Sequence, residues 1–263
     1  MTDMTPLDTA HAAMEAEPDN EAARLKFYER LADSELFLLL TEEAAGENIS
    51  PEIFELSDAN FVLVFDREER LSGFVGRPAP YAALSGRAIV QMLSGQNIGL
   101  GVNLDVAPSQ ILLPPSAVAW LADTVAHAPE DLEARAEELY APKGLPEALV
   151  ASLGEKLGSA GGMASNAYLV AVHYEGGGQS HLLGFVDAAE GAEAALAQAV
   201  TEALVFSGIE AGFLDVGFFA ASDPMAAAMS KVGLRFELPK GEVLMQDTRP
   251  APGSDPAKPP ILK

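Results

Sequence analysis

Cysteine is absent, which excludes disulfides, thiolate nucleophiles and thiolate metal sites. Positive charge is scarce: 16 Lys and Arg stand against 39 Asp and Glu, a formal net charge of -23. A surface that negative repels phosphate backbones and anionic lipid heads, which argues against nucleic-acid and membrane-surface roles. No apolar run approaches a bilayer span, and Met1 to Asp8 shows no basic region followed by an apolar stretch, so a cytoplasmic protein is expected. Signatures of phosphate chemistry fail. Gly99 and Gly101 lack the third glycine of a dinucleotide fingerprint and fall inside a strand pattern, while no glycine-lysine pair closes a phosphate loop. No serine stands in a Gly-x-Ser-x-Gly elbow.

What is present is a large apolar fraction, 49% of 263 residues, enough for two cores of ordinary size. Asn60 to Phe65 is apolar on consecutive positions, as a strand buried on both faces should be, and stops at the charged run Asp66 to Glu69. A linker, a helix after Ser85 and Gly86, and a strand from Ile98 to Asn103 are expected next. Upstream, Thr5, Pro6 and Asp8 form a helix start, Asn20 begins a second helix with Arg24, Glu29 and Arg30 toward solvent, and Glu35 to Thr41 and Ile53 to Leu56 read as strands. Gln110 to Leu113 reads as a strand, and Pro114 and Pro115 lead into a helix carrying Val118, Trp120, Leu121 and Val125. Trp120, the single tryptophan, is expected to anchor a core or an interface.

The acidic stretch from Ala128 to Gly144 reads as an exposed helical connector. Beyond it, Leu149, Leu153 and Leu157 stripe a helix closed by Gly158, and Ala167 to His173 and His181 to Val186 form a hairpin. Asp187 and Glu190 have capping-box spacing before a helix with Leu196, Val200 and Leu204, and Phe213 to Phe219 gives another strand. Ser222 to Gly233 gives a helix, and Leu234 to Phe236 and Val243 to Met245 supply last strands. The fold class expected is α+β, with α/β character in the first module: two domains, each a mixed sheet with helices packed on it. The boundaries expected are 1–128, an acidic connector at 129–144, 145–247, and a disordered proline-rich tail at 248–263.

Val64-Phe65-Asp66 at a strand end, Ala83 to Gly86 entering a helix, Gly99 to Asn103, and Ile111 to Pro115 form a pattern, joined by Asn166 to Leu169 after the leucine-striped helix. This pattern resembles the SseB family, named for enhanced serine sensitivity, over most of the chain. One departure is Leu104, where the family has a proline after the strand-terminal asparagine. The resemblance implies an intracellular protein of two domains, a link to serine tolerance, association with a sulfurtransferase, and no established catalytic residues.

For a ligand site the residues point to Asp66, Arg67 and Asn103, just past the carboxyl ends of two strands, where ligands gather in open α/β sheets. His173 and His181 would face each other on one side of the hairpin if its loop has three residues, but two histidines fall short of a structural metal set, so no metal and no cofactor are expected. The reading that results is a non-enzymatic adaptor or regulator with a protein partner. The alternatives are a sensor or enzyme for an amino-acid-like molecule at the strand ends, its arginine holding a carboxylate, and a structural homo-oligomer.

Overall fold

The computed structural model describes residues 4–44, 49–56, 59–126, 136–175, 179–208 and 214–239. Helix α1 (Pro6–Ala16) opens with a reciprocal cap: Thr5 Oγ1 accepts from the Asp8 amide at 3.1 Å and the Asp8 carboxylate accepts from the Thr5 amide at 3.0 Å. Helix α2 (Glu21–Asp33) starts where Asn20 accepts from the Ala23 amide. Strands β1 (Glu35–Leu39), β2 (Ile53–Leu56) and β3 (Ala59–Phe65) come next.

After β3 the structure departs from the expected linker. The charged run begins helix α3 (Glu68–Val75), and strand β4 (Tyr81–Ser85) precedes helix α4 (Gly86–Leu93). Glu68 and Glu69 sit in the first turn, where the helix dipole favours anions, and Gly76 closes the helix at φ 68°. Strand β5 (Ile98–Val102), strand β6 (Ile111–Leu113) and helix α5 (Pro115–Ala126) complete this half.

The first sheet runs β4-β1-β3-β5-β6, with β2 sharing the β1 edge of β3; only β3 and β5 are parallel. Consecutive burial along β3 has the expected cause. Val62 and Val64 join the core under α1, α2, α4 and α5, while Leu63 and Phe65 pack with Leu71 of α3 on the other face. Gly86 lets α4 approach α2 closely: a Cβ there would lie 1.9 Å from the Leu31 carbonyl oxygen.

The second half begins with a correction. Residues 136–140 form strand β7 (Ala136–Tyr140) rather than a helix. It is a mostly exposed strand with a bulge between Ala136 and Glu138, and β8 supplies the pairing that local composition could not reveal. Then come helix α6 (Glu147–Ser159), strands β8 (Asn166–Tyr174) and β9 (Gln179–Val186), helix α7 (Glu193–Phe206), strand β10 (Leu214–Phe219), helix α8 (Pro224–Val232) and strand β11 (Leu234–Glu237). This order from α6 onward matches the sequence reading. The sheet runs β10-β9-β8-β11 with β7 sharing the β11 edge of β8; β9 and β10 are parallel and the other pairs antiparallel.

Asp187 does not cap α7. At φ 50° it accepts from the Ala221 amide at 2.8 Å, tying the end of β9 to the turn before α8, while Ala192 is the cap residue of α7. Gly158 lies within α6 rather than after it. Val243 to Met245, the tail and residues 127–135 lie outside the described residues. Two mixed sheets clothed by helices make the chain α+β.

The halves meet through α2 and α4 on one side and α6 and α7 on the other. Lys156 of α6 is buried, with Nζ 2.6 Å from Asp33, 3.1 Å from Glu202 and 3.7 Å from Glu29. Arg87 of α4 grips Glu202 with two hydrogen bonds, 2.7 and 3.0 Å, and reaches Asp33 at 2.8 Å. Lys26 and Arg30 both reach Glu155 at 2.5 Å. Glu29, expected at solvent, is 2% exposed and paired with Lys26. Trp120 completes the seam, its ring edge-on to Tyr28 and to Phe206 with centroids 5.1 and 6.4 Å away. The interface role expected of it holds, though 39% of its surface stays exposed.

Two substitutions test this arrangement by urea denaturation. Lys156→Met takes one of the two cations from each of the buried carboxylates of Glu29 and Glu202, leaving them Lys26 and Arg87, and should destabilise by about 1.5–3 kcal/mol. Gly86→Ala drives a methyl into backbone that has no side chain to swing aside, and about 2–3 kcal/mol should be lost.

Candidate functional site

Parallel strands β3 and β5 end side by side at Phe65 and Val102, so the residues just beyond them share one edge of the sheet. Asn103 is fully buried and adopts φ 48°, a left-handed conformation that asparagine tolerates better than most residues. Its amide donates to the Val64 carbonyl at 2.9 Å and its side-chain oxygen accepts from the Asp66 amide at 3.1 Å, joining the two strand ends. The Asn103 side-chain nitrogen then donates to Ser109 Oγ at 2.9 Å.

From Ser109 the network passes to α1. Ser109 donates to Asp8 Oδ1 at 2.5 Å, and the Arg70 guanidinium forks onto Asp8, Nη1 to Oδ1 at 3.0 Å and Nη2 to Oδ2 at 2.5 Å. Arg70 Nη1 also donates to Asp66 Oδ1 at 2.7 Å, while Thr5 Oγ1 donates to Asp66 Oδ2 at 2.6 Å. Every carboxylate oxygen of the two aspartates is thereby engaged; Arg70 Nε is buried without a partner.

Of the residues expected at this edge, Asp66 and Asn103 meet directly. Arg67 stands at the cap position of α3 in an extended conformation, and Arg70 carries positive charge into the network. Sequence reasoning does not place Thr5, Asp8, Arg70 or Ser109 here. Arg70 has a legible signal, being four residues after Asp66 on one helix face. Asp8 is legible only as part of its cap.

Burial by itself would raise the Asp8 carboxyl, but hydrogen bonds from Arg70, Ser109 and the Thr5 amide outweigh it and hold the group well below its ordinary 3.8. Burial works against the Arg70 cation too, yet Asp8 and Asp66 drive its pKa above the ordinary value. A carboxylate held that low is a weak general base at neutral pH. What the arrangement does chemically is fasten helix α1 to the end of the sheet.

The two histidines of the hairpin lie elsewhere. His173 pairs with Gln179 and His181 with Ala171, so they share a face, as expected, but stand diagonally rather than opposite. Both line an open groove of about 710 Å³ with Tyr140, Lys143 and Ala171. His11 is buried edge-on against Phe27, centroids 5.5 Å apart, and His127 lies outside the described residues. No group of three or more His, Asp or Glu that could hold a metal ion occurs among the described residues. None of the described helices is long and apolar enough to cross a membrane.

Residues 7–120 match the family model of the SseB protein N-terminal domain, so the first sheet and its helices are similar to that domain. The second sheet lies outside the matched residues. No curated protein and no solved structure matches the chain.

The strand-end lock has a pH signature. Because the folded Asp8 carboxyl is depressed, its contribution to stability is complete above the unfolded value near 3.8 and is lost as pH falls toward and through the folded value. Asp8→Asn should cost about 3 kcal/mol at pH 7 by leaving Arg70 short of its partner. It should also flatten the fall of stability below about pH 4, read by denaturant titration at a series of pH values.

Proposed function

We propose that this chain is a member of the SseB family and a non-enzymatic cytoplasmic adaptor or regulator that holds a protein partner on its acidic surface. The observation that carries the reading is where the few cations go. Lys26, Arg30, Arg87 and Lys156 are engaged in the seam between the two sheets and Arg70 at the strand end. With five of the 16 basic side chains paired at these two places, the rest of the surface is left to the excess of the 39 acidic residues. A field of one sign steers a partner of the opposite sign and selects against others. The partner is therefore basic over its contact face, and the family's link to serine tolerance and to a sulfurtransferase belongs to the same proposal.

The competing reading places an amino-acid-like ligand at Asp66, Arg67 and Asn103. The Arg70 fork beside that edge already holds a carboxylate, that of Asp8, so such a ligand would have to displace α1. A thermal-shift panel with serine and related amino acids separates the two, since a ligand of the native state raises Tm. A flat panel is expected.

The adaptor reading itself predicts that the purified chain, crosslinked in lysate at low salt, captures a partner of basic contact surface. Capture should fall by about tenfold as salt rises through the range where the Debye length shrinks from about 10 to 3 Å. Recovery of nothing at low salt, or of a partner indifferent to salt, removes the proposal.

A further inference from the structure

The second sheet is only half clothed on the face that α6 and α7 cover. Leu169 and Leu183, paired in register, join the core beneath those helices. The next row outward on the same face is Tyr140, Ala171 and His181, contributed by β7, β8 and β9, and the row after it is Glu138, His173 and Gln179. No helix among the described residues covers these two rows, and all of their residues except Glu138 line the groove of about 710 Å³.

The first of these rows has the form of a slot. Ala171 is its floor, and the rings of Tyr140 and His181 rise on the strands to either side. Strands lie about 4.8 Å apart, so walls two strands apart are separated by roughly 9.5 Å. One flat aromatic layer, with van der Waals contact of about 3.5–4 Å on each side, fits that gap. The His173 ring meets Tyr140 edge-on at 5.3 Å and bounds the slot from the outer row.

Polar groups around the slot favour a negative charge. The segment after β7 brings Lys143 to the groove, and its backbone carbonyl lies 3.2 Å from His181 Nε2. A carbonyl can only accept, so Nε2 carries the proton and donates to it. Gln179 and Ser180 add uncharged donors. The acidic neighbour, Glu138, is engaged by the Tyr140 hydroxyl. On a chain of net charge -23 a large acidic partner meets repulsion from the whole surface. A small monoanion senses mainly the charges within about 8 Å.

We propose that this groove binds a small aromatic carboxylate, its ring over Ala171 between Tyr140 and His181 and its charge met by Lys143. The site is separate from the acidic surface invoked for a protein partner, so either can fail without the other.

The test is a titration of the full chain, followed by the imidazole nitrogen and proton signals, with benzoate, acetate and benzamide. Benzoate should move the His173 and His181 signals saturably, with half-saturation at about 1 mM for a ligand of that size, and leave His11 unmoved. Acetate, which lacks the ring, and benzamide, which lacks the charge, should bind about tenfold more weakly. Lys143→Met should weaken benzoate by about fivefold while leaving benzamide unchanged. Ala171→Leu should fill the slot and abolish the response; because Lys143 is exposed, its variant remains a valid test even if Ala171→Leu fails to fold. Unmoved His173 and His181 signals, or a response to acetate or benzamide equal to that of benzoate, overturns the proposal.

Discussion

The arrangement of the molecule depends on a buried ammonium. Lys156, on a helix of the second sheet, lies among Glu29 and Asp33 of α2 and Glu202 of α7, and with Lys26 and Arg87 it balances the two carboxylates that are buried, Glu29 and Glu202. Burying ions is costly, and such a group holds only where opposite charges balance closely. Here Lys26, Arg30, Arg87 and Lys156 face Glu29, Asp33, Glu155 and Glu202, so the seam is neutral within a chain of net charge -23. Neutrality at the seam concentrates the imbalance on the outside.

The same logic closes the end of the first sheet. Two aspartates and one arginine would be untenable there singly, but Thr5, Asn103 and Ser109 complete their hydrogen bonds, and α1 is fastened as a result. A place where α/β proteins commonly receive ligands is taken up by the protein's own side chains. The second sheet does the reverse, leaving two rows of one face without a helix among the described residues and setting rings and a lysine beside them. The molecule thus has one polar cluster turned inward and one groove turned outward.

Much of the fold is legible because its signals are local. Thr5, Asn20 and Asp223 cap helices with their own side chains, and β3 announces burial on both faces by consecutive apolar residues. Leu149, Leu153 and Leu157 fall on one face of α6 and all are buried. Misreadings arise where a partner outside the window decides the outcome. Glu68 to Val75 carries a charged first turn that masks a short helix, and Ala136 to Tyr140 is a strand only because β8 pairs with it. Asp187 has the spacing of a cap yet is claimed by the Ala221 amide.

The candidate sites divide in the same way. The sequence by itself determined the class of fold, the helix starts after Thr5, Asn20, Ser85 and Asp223, the strand ends at Asp66 and Asn103, and the common face of His173 and His181, since a register shift of two residues preserves the side a residue points to. It could not determine that Asp8 meets Arg70 across 62 residues, that Glu29 is buried beside a lysine far along the chain, or that Tyr140 stands one strand from Ala171. Such contacts depend on how the layers pack, and charge pairing at a distance leaves no periodic trace in the chain. Only the tertiary structure brings the opposite charges together and decides which of them water still reaches.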